Sequence, residues 1–218
     1  MGARRGGGPP LLLFHGWNGS SDNLGAWLPA LEPHFEVLVP DLPGCAGVPP
    51  LPSRHTALAY ATWALDLLAT LGLERVSVGG LCSGTAIALA LADVAPERVA
   101  ALLLHTPFLR PELIRPLIRA QLALLVSPAG ALWGPIRRST TLSMLHLRLF
   151  ADGAQVEAEQ LAHDQADLLM ADARAGRELA RDLLAVDRTG VVRGWRGPLG
   201  VLLADHDAFV DTPRTVIA

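Results

Sequence analysis

One stretch concentrates the residue types that could do covalent chemistry. Val76-Ser77-Val78-Gly79-Gly80-Leu81-Cys82-Ser83-Gly84-Thr85-Ala86-Ile87-Ala88-Leu89-Ala90 starts as a β-branched run and ends as an Ala/Leu-rich helix. Strand, sharp turn and helix in that order hold a reactive side chain at the tip of a strained backbone, the arrangement called a nucleophile elbow. The positions two before and two after the tip must be very small, because strand and helix pass close together there. Centring the turn on Cys82 puts Gly80 and Gly84 at those positions, whereas centring it on Ser83 puts Leu81 and Thr85 there. Sterics therefore nominate the Cys82 thiol over the neighbouring hydroxyl. A thiolate at this place would attack a carbonyl and form an acyl intermediate, chemistry that suits both hydrolysis and acyl transfer. The start of the following helix is expected to favour the anionic sulfur.

The elements around this stretch must position it. Leu11–Phe14 reads as a short buried strand that runs into His15-Gly16-Trp17-Asn18-Gly19-Ser20-Ser21, a loop placed where open α/β sheets bind ligands. Ser21 or Asp22 can cap a short helix through Leu31, and Glu36–Val39 is a second strand, closed by Pro40-Asp41-Leu42-Pro43-Gly44. Residues 53–71 show helical spacing of Leu58, Thr62, Leu65, Leu68 and Leu71, with Gly72 as a natural stop. Pro96-Glu97-Arg98 breaks the chain before a fourth strand, Val99–Leu104. Alternating strands and helices imply crossovers and a mainly parallel sheet flanked by helices, an α/β fold. From Pro107 to about Arg193 the alternation stops: 114–126, 142–150, 155–173 and 177–186 all read as helices, most simply a cap over the strand ends. Residues 198–203 return to a strand.

Composition narrows the classes of function. The 218 residues fit one domain with an insertion, and half are apolar, enough for a large core. A formal charge of −3 gives no electrostatic reason to expect a nucleic-acid partner. No apolar run is long enough to cross a bilayer, and the N-terminal residues lack the apolar segment of a secretory signal, so the expectation is no membrane and a cytoplasmic setting. Two cysteines, Cys45 and Cys82, are too few for a disulfide framework. There is no phosphate-cradling Gly-loop with a Lys and no His/Cys ligand cluster, so neither a cofactor nor a metal is expected. The acids Glu157, Glu159, Asp164, Asp167 and Asp172 read as a solvated helix face, Cys45 as an inert loop thiol, and Trp63, Trp133 and Trp195 as packing residues.

Taken together the pattern resembles the α/β-hydrolase fold superfamily, in its capped branch. The matching pieces are His15-Gly16-Trp17, Asp41-Leu42-Pro43-Gly44, the Gly80-Leu81-Cys82-Ser83-Gly84 elbow, Pro96-Glu97-Arg98-Val99, and Asp207 after the strand beyond the cap. The resemblance implies a core of residues 1–106 and 194–218 with a cap of residues 107–193. It further implies Cys82 as nucleophile, Asp207 as the acid that orients a catalytic histidine, and an oxyanion hole made by the backbone N–H groups of Trp17 and Ser83. His15, Gly16 and Leu81 are expected to wall the substrate pocket. The implied activity is that of a hydrolase acting on an ester, thioester or related small acyl substrate; an acyltransferase, or a non-catalytic member holding a small apolar ligand or a partner, is the alternative. Cys in place of the family's usual Ser resembles dienelactone hydrolases and polyhydroxyalkanoate synthases. The family's histidine follows one further strand, and the tail after Asp207 has none, so the sequence reads as a fragment lacking the last strand and helix, or as a degenerate member. The family's opening hairpin is likewise not expected in the ten residues before Leu11. Among the histidines, His206 adjoins Asp207 but points elsewhere, His15 serves the loop structurally, and His105 ends a strand near the site in a core or loop role. His34, His55, His146 and His163 read as surface or cap residues.

Overall fold

The structure, a computed structural model, describes residues 3–150, 158–205 and 207–216. Six strands form one sheet: β1 (Ala3–Arg5), β2 (Pro10–Phe14), β3 (Glu36–Val39), β4 (Val76–Leu81), β5 (Val99–His105) and β6 (Leu199–Leu202), in the spatial order β1-β3-β2-β4-β5-β6. Every pairing from β3 to β6 is parallel, and β1 adds an antiparallel edge against β3. The sheet is therefore mainly parallel, as alternation predicts. The edge strand β1 corrects the expectation of no strand ahead of Leu11: Arg4 pairs with Leu38 across the ladder, and its guanidinium reaches Glu36.

Helices cover both faces. They are α1 (Leu28–Leu31), α2 (Ala57–Thr70), α3 (Ser83–Val94), α4 (Pro116–Val126), α5 (Trp133–Arg138), α6 (Thr140–Phe150), α7 (Ala158–Met170), α8 (Ala173–Leu183), α9 (Thr189–Gly194) and α10 (Thr212–Val216). Side chains of β2 alternate between two cores: Leu12 and Phe14 face α2 and α3, while Leu11 and Leu13 join Leu24, Leu28, Val37 and Val39 on the other face. Both faces are buried, which is why the strand reads as an unbroken apolar run. The α2 helix begins later than its apolar spacing suggests, because the Thr56 hydroxyl accepts from Ala59 N–H and fixes the start. Near Ser20 the backbone forms a tight 3₁₀ turn before α1, closed by the Asn23 side chain accepting from Ser20 N–H at 2.9 Å.

The chain between β5 and β6 supplies α4 to α9, close to the helical stretches read from sequence; residues 155–157 of that reading lie outside the described residues. The start of the last helical stretch falls at Ala173 instead of Arg177, because Asp172 caps it by accepting from Ala175 N–H. Finally, α9 packs on α3, tying the end of this helical segment to the sheet layer.

Candidate active site

The tip of the turn between β4 and α3 is Cys82, with φ 55° and ψ −120°. This backbone is costly for a residue with a Cβ and persists only where its surroundings over-determine it. They do so here. Cys82 N–H donates to the His105 carbonyl at 3.0 Å, and the Cys82 carbonyl accepts from both Thr85 N–H and Thr85 Oγ1. Thr85 in turn accepts from Phe108 N–H, binding the first turn of α3 to the chain beyond β5.

The two flanking glycines have the steric role inferred from sequence. A Cβ on Gly80 would lie 2.3 Å from the Gly84 carbonyl carbon, and one on Gly84 would lie 2.3 Å from the Phe14 carbonyl oxygen. Neither space admits a methyl group. Ser83, next along the chain, is buried, and its hydroxyl has no hydrogen-bond partner among the described residues.

Above the tip lies a cavity of about 760 Å³ whose lining is mostly apolar. Gly16, Trp17, Leu81, Cys82, Ser83 and Asp207 all border it, so six residues singled out from sequence meet in one place. His15 does not, which corrects its assignment to the pocket. Its ring is fully buried beneath the loop, where Nδ1–H donates to the Gly16 carbonyl and Nε2 accepts from Leu42 N–H. Both nitrogens are thus occupied in joining the β2 and β3 loops, and burial holds the ring's pKa down in the neutral form.

The Cys82 thiol is in a mixed environment. Burial pushes its pKa up to about 12, against which the backbone N–H groups of Ser83 and Trp17 act, while Asp207 adds to the rise. The expectation of a thiolate at the helix start is therefore corrected: desolvation outweighs the two amide dipoles, and the resting group is the thiol. The same two amides face the sulfur.

Asp207 is buried and fully engaged. Its Oδ2 accepts from Thr106 Oγ1 at 2.6 Å, and its Oδ1 accepts from Phe209 and Val210 N–H at 2.8 and 2.9 Å. Among the described residues no imidazole bonds it; His206 lies outside them. His105 also borders the cavity, its Nδ1 3.3 Å from the same Thr106 hydroxyl and its ring edge-on to Trp27. Thr106 itself has φ 52°, so the acid is held by a second strained strand end. Sequence reasoning missed this residue, because a threonine after a buried strand carries no distinguishing signal.

The helical segment contributes further lining that sequence reading assigned elsewhere. Trp133 stacks on Trp17 with ring centres 6.3 Å apart and carries His146 edge-on at 4.5 Å; both Trp133 and His146 border the cavity. Burial lowers the His146 pKa to about 4. His55 is not a surface residue: it is fully buried, its Nδ1 3.0 Å from Glu178 on α8. His34 and His163 are exposed. The acids of α7 also depart from a uniformly solvated face. Asp167 is buried and accepts from Ser20 Oγ at 2.7 Å, Asp164 accepts from Asn23 Nδ2, and both border the cavity, while Glu159 is exposed and Glu157 lies outside the described residues. Cys45 is buried, its thiol pushed up to about 12 chiefly by desolvation.

Comparison with known proteins agrees with this architecture. The family described as alpha/beta hydrolase fold matches residues 9–129, more than half of the chain. Lipase 3 of Moraxella sp. (strain TA144) is 35% identical over 97 residues, covering 44% of this chain and 30% of that protein. A dihydrolipoyllysine-residue acetyltransferase component of the acetoin cleaving system from Pseudomonas putida is 36% identical over 99 residues, 44% of this chain and 26% of that one. The matched stretch thus spans under a third of the length of these relatives. Among solved structures, a thermophilic esterase from Thermogutta terrifontis superposes with a TM-score of 0.80 at 22% identity, covering all of this chain and 79% of the esterase. Sheet order, elbow geometry and the family match converge: the chain belongs to the alpha/beta hydrolase fold family.

Proposed function

We propose that this protein cleaves an ester, thioester or related acyl compound through Cys82. The observation that carries the reading is the sulfur at the tip of a strained corner, faced by the Ser83 and Trp17 amides and opening to an apolar cavity. In the first step the thiol loses its proton to a base, Sγ adds to the carbonyl carbon, and the oxygen takes up the negative charge beside the two amides. Fixed donors aimed at developing charge lower the barrier without reorganising, and one such donor is commonly worth about 3 kcal/mol. Collapse expels the alcohol or thiol and leaves an acyl-cysteine, which water resolves to the acid and the free thiol. Asp207 would orient an imidazole serving as base; among the described residues its oxygens are bonded by Thr106, Phe209 and Val210 and by no imidazole. Residues 107–193 act as a cap whose apolar side chains, among them Ile118, Leu122, Leu125 and Trp133, take the acyl chain. The lipase name of one relative and the esterase name of one structural neighbour support the ester class.

Acyl transfer is the same chemistry with a non-water acceptor, and the acetyltransferase name of the Pseudomonas putida relative favours it. A second reading, a binder of a small apolar ligand, is favoured by a thiol held at about 12 and by an Asp207 with no imidazole among the described residues.

The test is turnover of p-nitrophenyl esters of graded chain length beside a Cys82→Ala control. The enzymatic reading expects hydrolysis that the substitution lowers by at least about a thousandfold, in line with loss of a covalent nucleophile. Equal background rates in both proteins, with no acyl adduct on Cys82 by mass spectrometry, would leave only the binding reading. An adduct without turnover identifies a working elbow that lacks its base.

A further inference from the structure

The outward surface of α4 breaks the usual pattern for a surface helix. Its inner side chains Ile118, Leu122 and Leu125 are buried and border the cavity. Its outer positions Pro116, Leu117, Ala120, Ala123 and Leu124 are exposed and equally apolar, Leu117 and Leu124 by 65% and 61%. Apart from Arg119 and Gln121 the helix is apolar on every side, a composition ordinarily sunk in a core. The surface continues through Pro128, Ala129, Ala131 and Leu132, all exposed, Leu132 by 64%. No helix among the described residues is long and apolar enough to cross a bilayer. The pair Pro116–Val126 and Pro128–Ile136 is apolar enough when taken together, but the two pieces meet at 81°. That bend suits a segment lying on a lipid surface and not one passing through it.

Charge points to the occupant. The chain carries −3 overall, yet residues 114–150 hold five arginines (Arg115, Arg119, Arg137, Arg138 and Arg148) and no Asp or Glu. Arg115, Arg119 and Arg138 are exposed beside the apolar surface, and among the described residues none of them has a carboxylate partner. Leucines flanked by unpaired arginines match the chemistry of an anionic membrane surface, where the apolar side chains enter the headgroup boundary and each cation adds attraction. Leu124 and Ala129 are both exposed and both border the cavity, so the cavity meets the surface within this same patch. The geometry points to a docking face for an anionic lipid bilayer, formed by α4 and residues 128–132, that sets the cavity mouth against the lipid. Such a face departs from the sequence expectation of no membrane partner, which rests on the lack of an apolar run long enough to span a bilayer.

Flotation of the full chain with vesicles tests it, using phosphatidylcholine alone and phosphatidylcholine mixed with phosphatidylglycerol. The chain is expected to float with the mixed vesicles and not with the neutral ones, and to be released by high salt. The double change Leu117→Asp/Leu124→Asp is expected to weaken binding at least roughly tenfold, and Arg115→Glu/Arg119→Glu by a similar factor. Leu58→Asp, at an exposed leucine on α2, is expected to change nothing. Circular dichroism verifies that each variant is folded, which exposed positions permit. Cys82→Ala is expected to float like the parent, so this result is independent of the proposed chemistry. No flotation, equal flotation with both vesicle types, or equal loss in Leu58→Asp would each overturn the proposal. So would a dimer on size exclusion that Leu124→Asp dissolves, since the patch would then serve a second copy of the chain.

Discussion

Cys82 carries two opposing influences, and their balance sets how it reacts. Burial raises the thiol to about 12, while two backbone amides pull it down. Below that value the thiolate fraction grows tenfold per pH unit, so alkylation by iodoacetamide is expected to accelerate about tenfold per unit from pH 7 to pH 10. Mass spectrometry of the Cys82 peptide against time follows this directly; a rate flat above pH 8 would contradict the protonated resting state. Under the proposed chemistry, attack at neutral pH needs a base to remove the proton, so the surroundings of Asp207 would matter more than the helix start. Ser83 adds a buried hydroxyl with no hydrogen-bond partner among the described residues, at the border of the cavity.

At the scale of elements, the elbow is a tightly constrained junction between β4 and α3. Gly84→Ala would drive a methyl group into the Phe14 and His15 carbonyls, and the fold is expected to lose about 3 kcal/mol or more in urea denaturation. A second junction joins the helical segment to the loop that follows β2. Trp17 Nε1–H donates to the Gly176 carbonyl of α8 at 3.0 Å, and a Cβ at Gly176 would lie 2.7 Å from Asn18 Oδ1. The α8 helix thus anchors the Trp17 indole and lies against Asn18. Trp17→Phe keeps an aromatic ring, a smaller one, and deletes that bond; ester turnover is expected to show kcat falling about tenfold with KM changed far less, as for an interaction felt in the transition state. The strands, the elbow and the helical insertion were legible because each rests on local sequence: apolar runs, paired glycines, helical spacing. What escaped the sequence depends on three-dimensional proximity. Thr106 serves Asp207 across 101 positions, His55 meets Glu178 across 123, and Asp167 meets Ser20 across 147. The strand β1 escaped because three residues, Ala3–Arg5, are too few to show alternation.

For the whole molecule, several acids are buried in their neutral form, and this sets its tolerance of base. Cys45 rises from 9.0 to about 12 through burial, and Tyr60, whose hydroxyl donates to the Pro43 carbonyl, is raised as well. In the unfolded chain the thiol ionises near its ordinary value, while the folded thiol keeps its proton up to about 12. Between those values the unfolded state releases protons that the folded state retains, so stability is full below pH 9 and declines as pH rises through the window. Cys45 alone contributes a slope of about 1.4 kcal/mol per pH unit. Urea midpoints at pH 8 and pH 11 measure it, and Cys45→Ala is expected to flatten the curve. The sheet's two edges differ in the same global sense. β1 closes one side antiparallel, whereas β6 on the other exposes Leu199, Val201 and Leu202.

The guarded state of the elbow sulfur reaches beyond acyl chemistry. Hydrogen peroxide oxidises the anion and leaves the neutral thiol nearly untouched, so vulnerability follows ionisation and access. With its proton retained to about 12, Cys82 is expected to outlast low-pKa cysteines in aerated buffer, and mass spectrometry of its peptide after storage without reductant measures how slowly sulfenic acid forms.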